Sequence, residues 1–328
     1  MAAAGGEPQR LTSSKTDVGS FKWSPDGTTI AFTAIDPPTA DEEKASREKN
    51  DAQVVDQNVK LNRLYLVSIV PDADGQRAPR LLTGGDSNVG NDDAQGDHFD
   101  WSPDGTNIVF CRAPSPDWRE SPKLAISVVD VISGEIKALT HSATLAVAPL
   151  YSPDGRWIAC LVSRDKWGNA GLDVTIFPAT GGTARKLAET PELRPTLVGW
   201  SHDGQRIYCT ERDRTVTRLL ARSLSGGAVE IISQRAATLS AAVTLNFTRT
   251  AVGFYAQSLT RPVEAFVSQL DRFSPVQVTL NASKRHRSGL AFRTSSVSRS
   301  TIPTWPTCSA GNFGTSPRLI FRMHPSFI

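Results

Sequence analysis

The sequence reads as an all-β chain, a propeller of four-stranded blades followed by an irregular C-terminal tail. Three features carry that reading: a turn signature that recurs, a glycine-turn segment between its copies, and a spacing close to 50 residues. Trp23-Ser24-Pro25-Asp26-Gly27, Trp101-Ser102-Pro103-Asp104-Gly105, Tyr151-Ser152-Pro153-Asp154-Gly155 and Trp200-Ser201-His202-Asp203-Gly204 begin 78, 50 and 49 residues apart. Self-similarity of this period marks stacked supersecondary units.

Each copy has a local physical cause. An aromatic residue ends a strand with its ring directed inward, and Ser-Pro-Asp-Gly then turns the chain. Proline pre-sets φ, aspartate bonds its own downstream backbone, and glycine accepts a positive φ. Asp26, Gly27, Asp104, Gly105, Asp154, Gly155, Asp203 and Gly204 are therefore structural turn residues. The strand that follows alternates, so Ile30 and Phe32, Ile108 and Phe110, Ile158 and Cys160, and Ile207 and Cys209 share a face. The unit is a hairpin with an apolar inner face.

A second hairpin completes the blade. Ile132-Ser133-Gly134-Glu135-Ile136 precedes Tyr151, Ala179-Thr180-Gly181-Gly182-Thr183 precedes Trp200, and Leu224-Ser225-Gly226-Gly227-Ala228 follows it. Each is a glycine turn leading into a short strand. Two hairpins per period make four strands in 40–50 residues, the size of a propeller blade. Gly5-Gly6-Glu7-Pro8-Gln9-Arg10-Leu11-Thr12 has the same pattern, so the chain is expected to begin inside a blade and to form an incomplete ring over residues 1–280.

The unit from Trp23 is about 28 residues longer than its neighbours. Its excess is a charged stretch, residues 36–50, and a loop through Gly84 to Gly96. From Asp41 the composition is helix-forming, and the aspartate is placed to cap a short exposed helix. A weaker unit follows Trp200: residues 245–254 alternate but lack Pro-Asp-Gly, and Phe247 stands 47 residues after Trp200. The strands expected to close it run through Val263–Gln269 and Val276–Thr279. The repeats thus fall near residues 23, 101, 151, 200 and 247.

Residues 281–328 differ in character. They carry seven basic residues and no acidic one, so that of the overall charge of +3 the rest of the chain carries −4. This Ser/Thr/Pro-rich segment reads as a disordered or non-native tail. Nucleic-acid binding through it is the weakest of the functional readings.

Composition bounds the rest. The 328 residues are 39% hydrophobic and 21% charged, as in a soluble globular protein. There is no apolar run long enough to span a membrane and no apolar secretory core, so a cytoplasmic location is expected. No C-x-x-C pair occurs, and Cys160 and Cys209 take the strand position of Phe32 and Phe110, where cysteine acts as a small hydrophobe. His98, His141, His202, His286 and His324 fall in loops, turns or the tail. The residues suggest no cofactor and no metal site.

The Ser-Pro-Asp-Gly blades with their Ile-Ala-Phe strands resemble the propeller shared by TolB-like proteins and the prolyl oligopeptidase family of serine peptidases. Asp51-Ala52-Gln53-Val54-Val55-Asp56, Lys60 and Arg63-Leu64-Tyr65-Leu66-Val67 are similar to the corresponding stretch of acylaminoacyl-peptidase and dipeptidyl-peptidase-like members. The resemblance covers residues 5–280. It implies a propeller that gates peptide access to an α/β-hydrolase domain with a Ser-Asp-His triad. This chain has no G-x-S-x-G elbow and no matching triad positions, so a non-catalytic role is expected. The resemblance also implies that an acidic pair in an insertion can hold a peptide's amino terminus, a role open to Glu42 and Glu43. The bland alternative is a solvated helical face. Peptides or a protein partner are the expected ligands, with self-association through open blade faces. A TolB-like protein-interaction scaffold is the alternative.

Overall fold

The computed structural model describes residues 10–50, 52, 58–90, 98–140, 145–233, 238–258 and 261–279. Residues 10–279 form one compact unit. The expected half-blade strand before residue 10, most of the 51–56 stretch, His141 and the 281–328 tail lie outside the described residues.

The unit contains five antiparallel sheets, one per predicted repeat. Blade 1 holds β1 (Val18–Trp23), β2 (Thr29–Ile35), β3 (Asn62–Ser68) and β4 (Arg80–Leu81). Blade 2 holds β5 (Asn88–Val89), β6 (Phe99–Trp101), β7 (Asn107–Ala113), β8 (Ala125–Asp130) and β9 (Ile136–Ala138). Blade 3 holds β10 (Ala146–Tyr151), β11 (Trp157–Ser163), β12 (Leu172–Pro178) and β13 (Arg185–Lys186). Blade 4 holds β14 (Thr196–Trp200), β15 (Arg206–Asp213), β16 (Val216–Ser223) and β17 (Glu230–Ile231). Blade 5 holds β18 (Thr238–Leu245), β19 (Ala251–Ser258), β20 (Arg261–Gln269) and β21 (Val276–Gln277).

The hairpins are those expected, with Trp23 opposite Ile30, Trp101 opposite Ile108, Tyr151 opposite Ile158 and Trp200 opposite Ile207. The single apolar face is a correction. The second strand of a blade is buried on both sides, because each inner blade is sandwiched between neighbours. Ile108 and Phe110 pack in the cluster with Ala31, Leu64 and Leu66 of blade 1. Val109, Cys111 and Ala113, on the other face, pack in the cluster that contains Ile158 and Cys160 of blade 3. Tyr208 and Leu219 of blade 4 meet Val252 and Phe254 of blade 5 in the same way.

The inward aromatic also needs amendment. Trp101, Tyr151 and Trp200 are buried, but Trp23 is 53% exposed. In blades 2 to 5 this position packs on the preceding blade, at the residue before that blade's own aromatic. Trp101 Nε1 donates to Lys22 O, Tyr151 N donates to Asp100 Oδ2, and Trp200 Nε1 donates to Leu150 O. In blade 5 the position is Leu245, which fills the space where a Gly199 side chain would stand.

That register shifts the fifth repeat by two residues from the expected one. Phe247 takes the proline position of the turn, and its ring is exposed. Asn246 replaces both serine and aspartate: its Oδ1 accepts from Thr250 N and Ala251 N, each at 2.9 Å.

The charged insertion folds as α1 (Ala40–Arg47), with no buried residue. Its cap is Thr39, not Asp41. Thr39 Oγ1 accepts from Glu42 N, and Glu42 Oε2 accepts from Thr39 N at 2.6 Å, a complete capping box. A 3-10 helix, Trp118–Lys123, between β7 and β8 carried no sequence signal that was recognised.

Candidate functional site

Hairpin topology gives the blades two ends. One carries the Ser-Pro-Asp-Gly and glycine turns; the other carries the connections between second and third strands, including α1 and the 3-10 helix.

At the turn end the predicted turn residues form one repeated network. Ser102 Oγ donates to Asp104 Oδ1 at 2.6 Å, Thr106 N donates to the same oxygen at 3.0 Å, and Asn107 N donates to Ser102 Oγ at 2.9 Å. The pattern repeats at Asp26, Asp154 and Asp203. All four carboxyls sit below the ordinary aspartate value. For Asp26, Asp104 and Asp203 the serine hydroxyl is the largest cause; for Asp154 burial opposes the hydrogen bonds and is outweighed by them. These groups are occupied in shaping the turns. Consecutive turns also touch: a methyl group on Gly105, Gly155 or Gly204 would meet the proline of the preceding turn, Pro25, Pro103 or Pro153, at 3.5–3.6 Å.

Between blades 1 and 2 the turn end opens into a cleft of about 440 Å³. Asp26 and Asp104 stand at it with Arg80, and Leu66 and Trp101 provide apolar wall. Arg80 Nη2 bridges the blades by donating to Val131 O.

Asp100, the residue before Trp101, joins several blades. Its Oδ1 takes Lys22 Nζ of blade 1 at 3.1 Å and its Oδ2 takes Tyr151 N of blade 3 at 2.9 Å. Its charge also acts on Arg249 of blade 5, whose guanidinium pKa is pulled down by burial and partly restored by that carboxylate. Sequence reasoning missed all three residues. Lys22 and Asp100 share only the position before an aromatic, and Arg249 stands in a turn whose register was misread.

At the loop end, Glu42 and Glu43 are not free carboxylates. Glu42 Oε2 holds Lys60 Nζ at 2.6 Å, and Glu43 Oε1 holds Lys15 Nζ at 2.7 Å. The hydrogen bond from Lys60 is the largest cause lowering the Glu42 pKa, and that from Lys15 the largest for Glu43. A peptide ammonium at either would replace a lysine. On the same end, Trp118 and Trp167 lie with ring centroids 6.2 Å apart, tilted by 44° and exposed, with Lys166 Nζ 5.5 Å from the Trp167 ring.

Among the described residues no group of three or more His, Cys, Asp or Glu is arranged to hold a metal ion. No helix among them is long and apolar enough to cross a membrane.

The described residues of 10–279 thus form a propeller of five antiparallel blades, four of them four-stranded and blade 2 five-stranded, the fold of TolB and of the propeller domains of prolyl-oligopeptidase-type peptidases. TolB from Acinetobacter baumannii superposes with a TM-score of 0.52 at 16% identity, over 81% of this chain and 55% of that one. A puromycin-hydrolyzing peptidase from Mycobacterium tuberculosis gives 0.57 at 14% identity, over 80% and 38%. In sequence, 110 residues are 30% identical to the uncharacterized peptidase YuxL of Bacillus subtilis (strain 168), covering 34% of this chain and 16% of that protein. No family model matches. The chain spans only part of each of these three proteins.

Proposed function

We propose that this chain is the propeller module of a serine peptidase of the prolyl oligopeptidase type, a non-catalytic part that admits and orients peptides. The observation that carries the reading is the stretch 30% identical to a peptidase, well above the 14–16% shared with the superposed structures. The turn end suits the role. Its interblade cleft joins apolar wall to charged rim, as peptide sites do. The fold it shares with TolB supports a second reading, a scaffold for a folded protein partner, for which the exposed Trp118–Trp167 pair offers an aromatic anchor.

Calorimetric titration with pools of short peptides, beside pull-down with folded proteins, separates the two. The peptidase reading expects saturable peptide binding without turnover of fluorogenic dipeptide or acyl-amino-acid substrates. Turnover with labelling by a serine-hydrolase probe would overturn the non-catalytic role. Binding of a folded partner without peptide binding would replace the first reading by the second.

A further inference from the structure

Four of the five blade turns carry glycine where the backbone enters the left-handed region, at Gly27, Gly105, Gly155 and Gly204. The fifth carries Arg249, at φ 56°, with its N–H donating to Asn246 O at 2.9 Å just as the glycines donate to their serines. A side chain with a Cβ is strained in this conformation, and arginine has none of the local hydrogen bonding that lets asparagine or aspartate adopt it. Strain held at one copy of a repeat, where the other copies avoid it, points to a task for that side chain.

The arginine is also poorly satisfied. Its side chain is half-buried, and Nη1 is buried with no hydrogen-bond partner among the described residues. The nearby carboxylate does not pair with it: Asp100 gives one oxygen to Lys22 and the other to Tyr151 N. The Arg249 guanidinium is therefore left with an unused N–H among the described residues. A buried donor of this kind calls for an acceptor, and a guanidinium prefers a planar anion that it can grip through two parallel bonds.

We propose that Arg249, supported by Lys22 and positioned by Asp100, is an anion site at the turn end of the blades that takes a peptide carboxylate. The site deepens the peptide reading above and rests on it for the identity of the ligand, but not for the existence of the anion site. In such a complex the carboxylate accepts from the Arg249 guanidinium N–H that has no partner among the described residues. The cluster would thus favour peptides by their free carboxyl end or an acidic side chain.

The decisive variant is Arg249→Gly, which restores the residue of the other four turns and relieves the strain, so that it is expected to fold. Calorimetric titration uses acetyl-trialanine with a free carboxylate, the same peptide as its amide, and acetyl-Ala-Asp-Ala-amide. The wild-type protein is expected to bind one or both carboxylate peptides about tenfold or more tightly than the amide, the worth of a charge-assisted hydrogen bond. Arg249→Gly is expected to abolish that preference, and Arg249→Lys to keep part of it. Preference for the first peptide assigns the terminal carboxylate; preference for the third assigns an acidic side chain. Acetate supplies a peptide-independent readout: it is expected to raise the melting temperature of wild type, at constant ionic strength, more than that of Arg249→Gly. Acetate stabilisation lost in the variant, with no binding of any peptide, keeps the anion site and overturns the peptide reading. Equal binding of acid and amide, or a preference unchanged in Arg249→Gly with an unchanged acetate response, overturns the site.

Discussion

The indole N–H of Trp200 donates across 3.1 Å to the carbonyl oxygen of Leu150, the residue before the aromatic of the preceding blade. Trp101 makes the same bond to Lys22. In blades 2 and 4 the tryptophan that opens the repeat is thus a clamp between blades as much as a core residue. Trp23, the first of the series, stands half exposed.

This difference predicts an asymmetric response to mutation. Trp200→Phe removes the donor and with it a part-buried hydrogen bond between blades, at a cost of about 0.5–1.5 kcal/mol. Trp23→Phe, at an exposed site, is expected to lie within about 0.5 kcal/mol of wild type. Urea unfolding of both variants checks the pair, and equal losses would dispose of the clamp.

Gly171 provides a steric test. It adopts φ 106°, and a methyl group there would lie 2.6 Å from the Leu193 carbonyl oxygen, a backbone atom that cannot swing aside. Gly27 is also left-handed, at 69°, but a methyl group there would meet nothing within 4 Å. Gly27→Ala is therefore expected to cost only the conformational strain, about 1–2 kcal/mol. Gly171→Ala should cost clearly more in the same urea titration.

The four turn carboxyls make stability depend on acid. Each is held in the fold below its ordinary value of 3.8. A depressed carboxyl stabilises the fold above its unfolded value, and that contribution is lost as pH falls through the folded one. Wild type should therefore lose stability progressively below about pH 3.8. Asp104→Asn keeps the shape of the side chain and removes one titration. The gap between wild type and this variant should shrink as the pH drops below that value, read as unfolding free energy at a series of pH values. A gap that stays constant would contradict the network.

Thiol reactivity tests the interblade packing. Cys111, Cys160 and Cys209 are fully buried and in no disulfide. Burial pushes the Cys209 thiol up to about 12 and raises that of Cys160 as well. In protein carrying Cys308→Ser, an aromatic disulfide reagent at mildly alkaline pH should label none of the three until denaturant is added, since the thiolate is the reactive form. Prompt labelling of native protein would show the blades to be loosely packed.

Much of the fold was legible because each blade writes its own turn chemistry locally. Proline, aspartate and glycine in fixed order announce a reversal, and Ile-Ala-Phe after it announces a strand. The fifth repeat was read two residues out of register because Asn246 does with one amide what Ser102 and Asp104 do with two side chains. Thr39 was passed over as the cap of α1 because Asp41, a strong capping type, stood nearby. The lysine partners of Glu42 and Glu43 lie 18 and 28 residues away, and nothing in a linear pattern announces them.

The sequence by itself determined where the chain turns, which residues alternate along each strand and how many hairpins the repeats make, since these depend on neighbours a few positions apart. Only the tertiary structure decided what lies between blades: the double burial of the second strands, the Trp200–Leu150 clamp, and the meeting of Lys22, Asp100 and Arg249. The last two of these are 149 residues apart in the chain. Charges brought together by the packing of separate blades leave no periodicity behind, because the coupling acts through space and each residue's local pattern is satisfied without it.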